Sequence, residues 1–296
     1  MQDILTCAMG LDIHRDVIVA CLAKGELGAD PEIEIRSFST LIPEMRKLRD
    51  WVLEAECHHV AMESTGIYWQ PIYEMLEPCF DGQISILVVN ARHMKNVPGR
   101  KTDMRDAQWI ATLLRAGLLK GSFIPDKTFR ELRHLTRYRK SIVRDITAQK
   151  NRIDKFLQSS GFRFTAFLSD AFGASGRNII RHLMEYGSIS REALDRCLKT
   201  QTRKRIDEIL IALNGSLSEH QRNFLRMIFG HLEALEQHRH TVEDAITEEI
   251  TKHEEALSLL CSIPGIDVTA AAAIIAEIGT DMSAFPDSQH ICSVSY

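Results

Sequence analysis

The sequence predicts an α/β domain followed by helical regions, a fold class of the α/β plus α type. Short β-branched runs alternate with amphipathic segments in the N-terminal part, two long heptad-like segments follow, and an alanine-rich segment lies near the end. With 296 residues, 45% of them hydrophobic, the chain is long enough to bury more than one core. We therefore predict three domains, over residues 1–125, 126–255 and 256–296.

The N-terminal region predicts a sheet that begins with three antiparallel strands. Two apolar runs between Leu5 and Ala23 flank the turn residues His14-Arg15-Asp16. A third run, Glu32–Phe38, alternates apolar and charged residues, which is typical of a strand with one exposed face. Because the connections are short, we expect these runs to form a meander.

Helices and strands then alternate. Helical spacing over residues 43–56 precedes a short strand over 60–63 and a helix over 68–76. The run over 84–89, apolar except for Ser85, predicts a central strand covered on both faces, and residues 103–116 are again helical. The resulting order, β-β-β-α-β-α-β-α, is that of the ribonuclease-H-like fold with a mixed sheet.

Two long helices are predicted next, each with a seam of alternating three- and four-residue spacing. Six of the eight positions are apolar in each seam. Sustained heptads predict a coiled coil, which would also join copies of the chain into a homo-oligomer. The alternative is a pair of amphipathic helices packed within one chain. The seams are Leu132, Leu135, Arg139, Ile142, Ile146, Gln149, Ile153 and Phe156, and Leu225, Ile228, Leu232, Leu235, Arg239, Val242, Ile246 and Glu249.

Residues 257–279 predict a helical hairpin. A short helix stops at Pro264-Gly265, and an alanine-rich helix begins near Thr269, which we expect to cap it. The pattern is similar to a helix-hairpin-helix, in which backbone amides bind a nucleic-acid phosphate. Asp267 lies near the expected phosphate and argues against that interpretation. A plain packing corner is the alternative.

Four acidic residues are predicted to converge. Asp12 follows Gly10 on one face of the first strand, and Glu63 closes a short strand at the edge where open α/β sheets bind ligands. Asp103 and Asp106 lie three residues apart at the start of a helix, on one helical face. Carboxylates brought this close repel one another unless a cation lies between them.

Oxygen ligands of this kind suit Mg²⁺ or Mn²⁺, and such ions would serve phosphoryl transfer. The predicted site is therefore a metal centre formed by Asp12, Glu63, Asp103 and Asp106. The alternative is that neighbouring basic residues simply pair with the two aspartates of the helix on the surface.

Charge is strongly segregated along the chain. The whole protein has a formal net charge of −4, yet residues 91–163 hold 18 Lys or Arg against 6 Asp or Glu. A basic block in an acidic protein is typical of nucleic-acid binding, although a solvated helix face with scattered ion pairs is the alternative. The predicted nucleic-acid contacts are Arg92, Lys95, Arg100, Lys101, Arg105, Arg137, Arg139 and Lys140.

Several classes of protein are excluded. The seven cysteines form no Cys-x-x-Cys pair, and neither His14, His93 nor His58-His59 has zinc-ligand spacing. No signal peptide or membrane-length apolar run is present, so we expect a cytoplasmic protein. The glycine-rich phosphate loops of an actin-like ATPase are missing after the first strand.

Several motifs resemble the transposases of the insertion-sequence 110 family in order and spacing. They include Leu11-Asp12-Ile13-His14-Arg15-Asp16, Met62-Glu63-Ser64-Thr65-Gly66 and Asn96-Val97-Pro98-Gly99-Arg100-Lys101-Thr102-Asp103-Met104-Arg105-Asp106. Further matches are Leu135-Thr136-Arg137-Tyr138-Arg139 and Ile263-Pro264-Gly265.

This resemblance implies a RuvC-like domain in which Asp12, Glu63, Asp103 and Asp106 bind divalent metal, a coiled-coil middle and a C-terminal transposase domain. It also implies a prokaryotic, nucleoid-associated DNA recombinase of a mobile element. Members work as oligomers and are guided by a structured RNA. The expected partners are that RNA and the DNA of the element ends and the target.

The resemblance breaks off near the end of the chain. The family's nucleophilic serine lies downstream of the segment matched by residues 285–290, and this sequence ends at Tyr296. We therefore expect a truncated copy, impaired in strand exchange. The alternatives are a catalytically silent remnant that binds nucleic acid and a RuvC-like metal-dependent nuclease.

Overall fold

The computed structural model describes residues 3–63, 66–90 and 106–294, the last three by their backbone only. The chain divides into two compact units. Unit 1 comprises Met1–Ile124 with Ala284–Tyr296, and unit 2 comprises Pro125–Ser283. Each unit has a hydrophobic core of its own.

A five-stranded mixed sheet forms the centre of unit 1, with strand order β3-β2-β1-β4-β5. The first three strands are an antiparallel meander, and β1, β4 and β5 are parallel. The predicted sequence of elements, the mixed sheet and the meander are thereby confirmed. The strands are β1 Cys7–Ile13, β2 Val17–Lys24, β3 Glu32–Ser39, β4 His59–Glu63 and β5 Ser85–Val89.

Helices cover both faces of this sheet. On one face, large side chains such as Met9 and Leu11 pack against Leu48 and Trp51 of α1 and Ile72 of α2. On the other face, the contacts with α3 use mostly small residues. The helices are α1 Ile42–Glu54, α2 Gln70–Leu76 and α3 Asp106–Arg115.

Strand β5 is an edge strand, and the prediction of a central position for residues 84–89 was wrong. It pairs with β4 on one side, and on the other Ser122 donates a backbone hydrogen bond of 2.7 Å to the Val88 carbonyl. The neighbouring Gly121 packs on Leu87, where an added Cβ would lie 2.9 Å from a side-chain methyl. A chain segment therefore covers this edge, which explains why the edge strand is apolar from Ile86 to Val89.

Two long antiparallel helices, α4 and α9, dominate unit 2. The Gln149 side-chain amide of α4 donates to the Ile228 carbonyl of α9 at 2.6 Å, and the Tyr138 hydroxyl lies 2.8 Å from His238 Nε2. A capping box of Ser218 and Gln221 begins α9. The helices are α4 Lys127–Ser159, α5 Ala174–Tyr186, α6 Arg191–Cys197, α7 Thr200–Arg203, α8 Ile206–Ala212, α9 Glu219–Ile250, α10 Glu254–Cys261 and α11 Val268–Ile278.

The apolar seams of these two helices are covered within the chain. Ile142, Ile146 and Ile153 of α4 share a buried core with Leu225 and Leu232 of α9. The predicted alternative, a pair of amphipathic helices packed within one chain, describes this arrangement. A last helix, α12 Ser288–Val294, belongs to unit 1. In the part of the chain that the structure describes, no helix has the length and apolar character of a membrane span.

Among the described residues of unit 1, Arg115 is the most buried charged residue, with 1% of the residue exposed. Its guanidinium donates to the carbonyls of Leu5 at 3.0 Å and Glu26 at 2.7 Å, and it lies 3.4 Å from an Asp3 carboxylate oxygen. Arg115 thereby connects the end of α3 to the start of β1 and to the loop after β2.

Replacing Arg115 with Met should lower the free energy of unfolding of unit 1 by about 3 kcal/mol, since partly buried carbonyls and the Asp3 carboxylate lose a charged donor. All three tryptophans, Trp51, Trp69 and Trp109, lie in unit 1, so tryptophan fluorescence in urea reports on this unit. Arg46, exposed on α1, is the matched control, and Arg46→Met should change the stability by less than about 0.5 kcal/mol. Equal effects of the two substitutions would contradict a structural role of Arg115.

Candidate functional site

Asp12 lies near the carboxyl end of β1, on the face covered by α3. Side chains alternate along the strand, so Ala8, Gly10 and Asp12 share this face while Met9 and Leu11 enter the opposite core. The predicted alternation is confirmed. The Asp12 side chain is 14% exposed, and its Oδ2 lies 3.2 Å from His14 Nε2.

Glu63 ends β4, the strand next to β1. The parallel register pairs Gly10 with Ala61 and Leu11 with Met62, so Asp12 and Glu63 each follow the last pair by one residue. Adjacent strands are about 4.8 Å apart, and aligned residues of parallel strands point to the same face. The half-buried Glu63 therefore lies beside Asp12, at the same end of the sheet.

Asp106 reaches this end of the sheet because α3 runs antiparallel to β1. The amides of Ile4 and Leu5, just before β1, donate to the Arg115 carbonyl at the end of α3. Near the start of α3, the backbone of Ala107 lies directly on Gly10. Asp106, exposed in the first turn, is thus held near the strand ends, where the helix dipole favours a carboxylate.

Three of the four predicted acids therefore come together at one end of the sheet: Asp12, Glu63 and Asp106. The fourth, Asp103, lies outside the described residues. Within residues 3–63, 66–90 and 106–294, no three His, Cys, Asp or Glu side chains are arranged as a metal-binding group. What the described part supplies is a set of carboxylate oxygens on neighbouring elements, the donors that hard divalent cations prefer.

His14, which has no zinc-ligand spacing in the sequence, is a neighbour of the site. Its ring contacts the Asp12 carboxylate, although its side chain is 60% exposed. His14 lies one residue beyond the end of β1, and residues i and i+2 of an extended chain point to the same side. A backbone hydrogen bond of 2.9 Å from the His14 amide to the Val17 carbonyl sets the turn that holds it there.

The predicted nucleic-acid contacts divide into two groups. Arg137, Arg139 and Lys140 lie on α4, and the other five, Arg92, Lys95, Arg100, Lys101 and Arg105, lie outside the described residues. Arg137 makes a bidentate ion pair with Glu277, at 2.9 and 3.0 Å, and Arg139 pairs with Glu243 at 2.7 Å.

Internal pairing thus uses part of the basic block. Arg133 contacts Glu277 at 3.0 Å, and its burial lowers the pKa of its guanidinium while Glu277 opposes that shift. Lys140 is exposed and forms no ion pair within the described part of the chain. Of the three α4 residues, Lys140 is therefore the one whose charge is most available to a phosphate.

The hairpin between α10 and α11 is capped by its own acidic residue. Asp267 Oδ1 accepts a hydrogen bond of 2.7 Å from the Ala270 amide, so Asp267 is the N-cap of α11. The prediction that Thr269 caps this helix was wrong by two residues. The Asp267 carboxylate already accepts a hydrogen bond from an amide at this helix end. A phosphate could bind there only if it displaced the carboxylate.

Asp267→Ala should lower the local stability of α11 by about 1 kcal/mol, because the Ala270 amide loses its acceptor. Hydrogen exchange of the amides of residues 268–272 measures this, with exchange roughly five- to tenfold faster in the variant. Asp267→Asn is the matched control, since asparagine caps equally well. Unchanged exchange in Asp267→Ala would show that the cap contributes nothing.

Comparisons with known proteins identify the family of the chain. A family described as transposase, of the IS110 type with a DEDD acid set, matches residues 9–161, more than half of the chain. A second family, described as Transposase IS116/IS110/IS902 family, matches residues 257–295. No curated protein matches the chain. The first match includes all four predicted acids and the second includes the α10–α11 hairpin, so the chain belongs to the IS110 family of transposases.

Proposed function

We propose that this transposase is a DNA recombinase of an insertion sequence, whose chemistry takes place at Asp12, Glu63, Asp103 and Asp106. One observation carries the proposal: β1, β4 and α3 bring Asp12, Glu63 and Asp106 to the same end of one sheet. Carboxylates at the carboxyl ends of parallel strands form a typical ligand site of an open α/β sheet. The DEDD family suggests dependence on a divalent metal.

The donor set fits Mg²⁺ or Mn²⁺. All of the proposed ligands are carboxylates, which are hard oxygen donors that these ions prefer over the thiolate and imidazole sets of zinc sites. The Asp12 side chain is largely buried beside Glu63, so two carboxylates lie close together in a partly buried place. A cation bound between carboxylates offsets their mutual repulsion.

The residues of the chain have separate roles in this proposal. Asp12, Glu63, Asp103 and Asp106 hold the cation, and His14 orients the Asp12 carboxylate through its Oδ2 contact. Without a cation the acids repel a phosphodiester, so substrate phosphate enters only together with metal. A bound divalent ion supplies Lewis acidity toward a phosphodiester oxygen and lowers the pKa of an attacking hydroxyl.

DNA is the substrate that the family implies, and the finer assignments are ours. We include the element ends and the target as DNA partners and a structured guide RNA as the source of specificity. Support comes from the basic block over residues 91–163 and from Lys140, which is exposed and forms no ion pair with the residues that the structure describes. Arg137 and Arg139 already pair with Glu277 and Glu243. Each arginine could therefore contact a phosphate only by dividing its guanidinium hydrogen bonds between the phosphate and its glutamate.

The predicted domains also stay a proposal: a RuvC-like domain over residues 1–125, a coiled-coil domain over 126–255 and the start of a C-terminal transposase domain with a helix-hairpin-helix over 256–296. Long antiparallel α4 and α9 support the second, and the short hairpin between α10 and α11 supports the third. Because the seams of α4 and α9 are covered internally, a homo-oligomer would form through other surfaces of these helices.

Asp12→Asn should abolish stabilisation by Mn²⁺. At a Mn²⁺ concentration 100 times the Kd, binding stabilises the folded protein by about 2.7 kcal/mol, which tryptophan fluorescence in urea detects for unit 1. The substitution keeps the shape of the side chain and removes the charge.

Asp16→Asn is the matched control, because Asp16 is 87% exposed and, among the described residues, forms an ion pair only with its neighbour Arg15, at 3.7 Å. This variant should respond to Mn²⁺ like the wild type. Equal stabilisation of Asp12→Asn and the wild type would reject the proposed metal site.

Lys140→Gln should weaken binding of nucleic acid uniformly across sequences and lower the slope of log K against log salt by about 1, as expected for one lost phosphate contact. Lys47→Gln, an exposed lysine of α1 that pairs with Glu44, is the control. Fluorescence anisotropy with labelled DNA and RNA over a salt series measures both. The proposal for Lys140 fails when the two variants have the same slope.

Incubation with element-end DNA, guide RNA and Mg²⁺ separates the activities that remain open. A covalent adduct between protein and DNA indicates a recombinase that exchanges strands. Cleavage without an adduct indicates a metal-dependent nuclease, and binding without cleavage indicates a silent nucleic-acid-binding protein. Asp12→Asn is the negative control for both chemical outcomes.

A further inference from the structure

The approach of α3 to β1 is closer than any side chain would permit. A Cβ atom added to Gly10 would lie 2.2 Å from the Ala107 carbonyl oxygen and 2.4 Å from the Ala111 nitrogen. Both atoms belong to the backbone of α3, so no rotation of a side chain relieves the clash. With any residue other than glycine, the helix must move away from the strand.

The opposite end of α3 is fixed by Arg115. Its carbonyl accepts the amides of Ile4 and Leu5, at 2.8 and 3.2 Å, and its buried guanidinium donates to the carbonyls of Leu5, Gly25 and Glu26. Gly10 sets how close the helix lies to the sheet, and Arg115 sets how far it slides along β1. Together, the contacts of Gly10 and Arg115 fix the position of α3 on the sheet.

That position decides where Asp106 lies. Asp106 precedes Ala107, which contacts Gly10, and Gly10 precedes Asp12 by two residues on the same face of β1, about 7 Å along the strand. A shift of α3 by an ångström changes the distance from Asp106 to Asp12 by a similar amount, and octahedral metal sites tolerate little error.

We infer that Gly10 and Arg115 are positioning residues of the acidic site, acting through α3. Neither offers a ligand to the metal, and each controls the place of Asp106 relative to Asp12 and Glu63. The inference rests on the proposed function, since it assigns these residues to the geometry of the same site.

Gly10→Ala should weaken Mn²⁺ binding about tenfold while unit 1 stays folded, the size of effect typical for residues that orient metal ligands. Titration followed by Mn²⁺ electron paramagnetic resonance gives the Kd, and tryptophan fluorescence in EDTA gives the stability without metal. Arg115→Lys, which keeps the charge and loses the set of carbonyl bonds, should weaken binding in the same direction. If Gly10→Ala does not fold, Arg115→Lys is the variant that tests the inference.

Leu114→Ala is the matched control. Leu114 is buried on the same helix against the same sheet face, two turns from Asp106, so its truncation destabilises the packing and leaves the start of α3 in place. Its Kd for Mn²⁺ should stay within about twofold of the wild type. A purely structural role of Gly10 predicts instead that affinity follows stability in all three variants.

Three results separate the possibilities. Wild-type affinity in folded Gly10→Ala and Arg115→Lys overturns the inference and leaves the metal site intact. Equal loss of affinity in Leu114→Ala overturns it as well, since packing alone would then explain the effect. Unchanged affinity in Asp12→Asn, or no binding by the wild type, instead rejects the proposed function on which the inference rests.

Discussion

Backbone atoms of α3 lie directly on β1 at Gly10, and the arrangement of unit 1 around the acids follows from this contact. The small residues Ala8, Ala61, Ala107 and Ala111 let the helix approach the sheet, while large side chains fill the opposite face. Because the helix lies so close, its first turn comes to the carboxyl ends of β1 and β4. The acidic residues are thus near one another through packing of uncharged residues.

Carboxylates that lie this close repel one another. Among the described residues, the basic group that contacts Asp12 is the exposed His14. Buried Arg115 is directed to carbonyls and Asp3 at the other end of α3. Carboxylate oxygens on neighbouring elements are donors that favour a divalent cation. In unit 2, by contrast, basic side chains of α4 form ion pairs with acidic residues of α9 and α11.

Much of the fold could be predicted from the sequence because local patterns carried it. Alternation placed Asp12 with Gly10, and the heptad-like seams predicted both long helices. The central position predicted for residues 84–89 was wrong because the covering segment around Ser122 is remote and has no strand pattern. The N-cap of α11 was predicted at Thr269, but two residues that can cap a helix, Asp267 and Thr269, lie within three positions. The structure distinguishes them, because the Asp267 side chain accepts the hydrogen bond of the Ala270 amide.

The order of elements predicted that Asp12 and Glu63 lie at the same end of the sheet, whereas the position of α3 could not be predicted. The order of elements brought Asp12 and Glu63 together, but the reason for α3's position, a clash-limited contact with Gly10, depends on a helix about a hundred residues away. The pairing of Arg137 with Glu277 could likewise not be predicted from the sequence, because the two residues are 140 positions apart in the chain. Charge counted along a sequence overestimates the charge that a partner meets.

Anomalous diffraction from crystals of the protein grown with Mn²⁺ would locate the ion relative to the acidic residues. We expect an anomalous peak at the carboxyl ends of β1 and β4, with oxygens of Asp12, Glu63 and Asp106 about 2.1 Å from the ion. Mn²⁺ bound elsewhere, with these three carboxylates free of metal at a concentration that stabilises the protein, would contradict it.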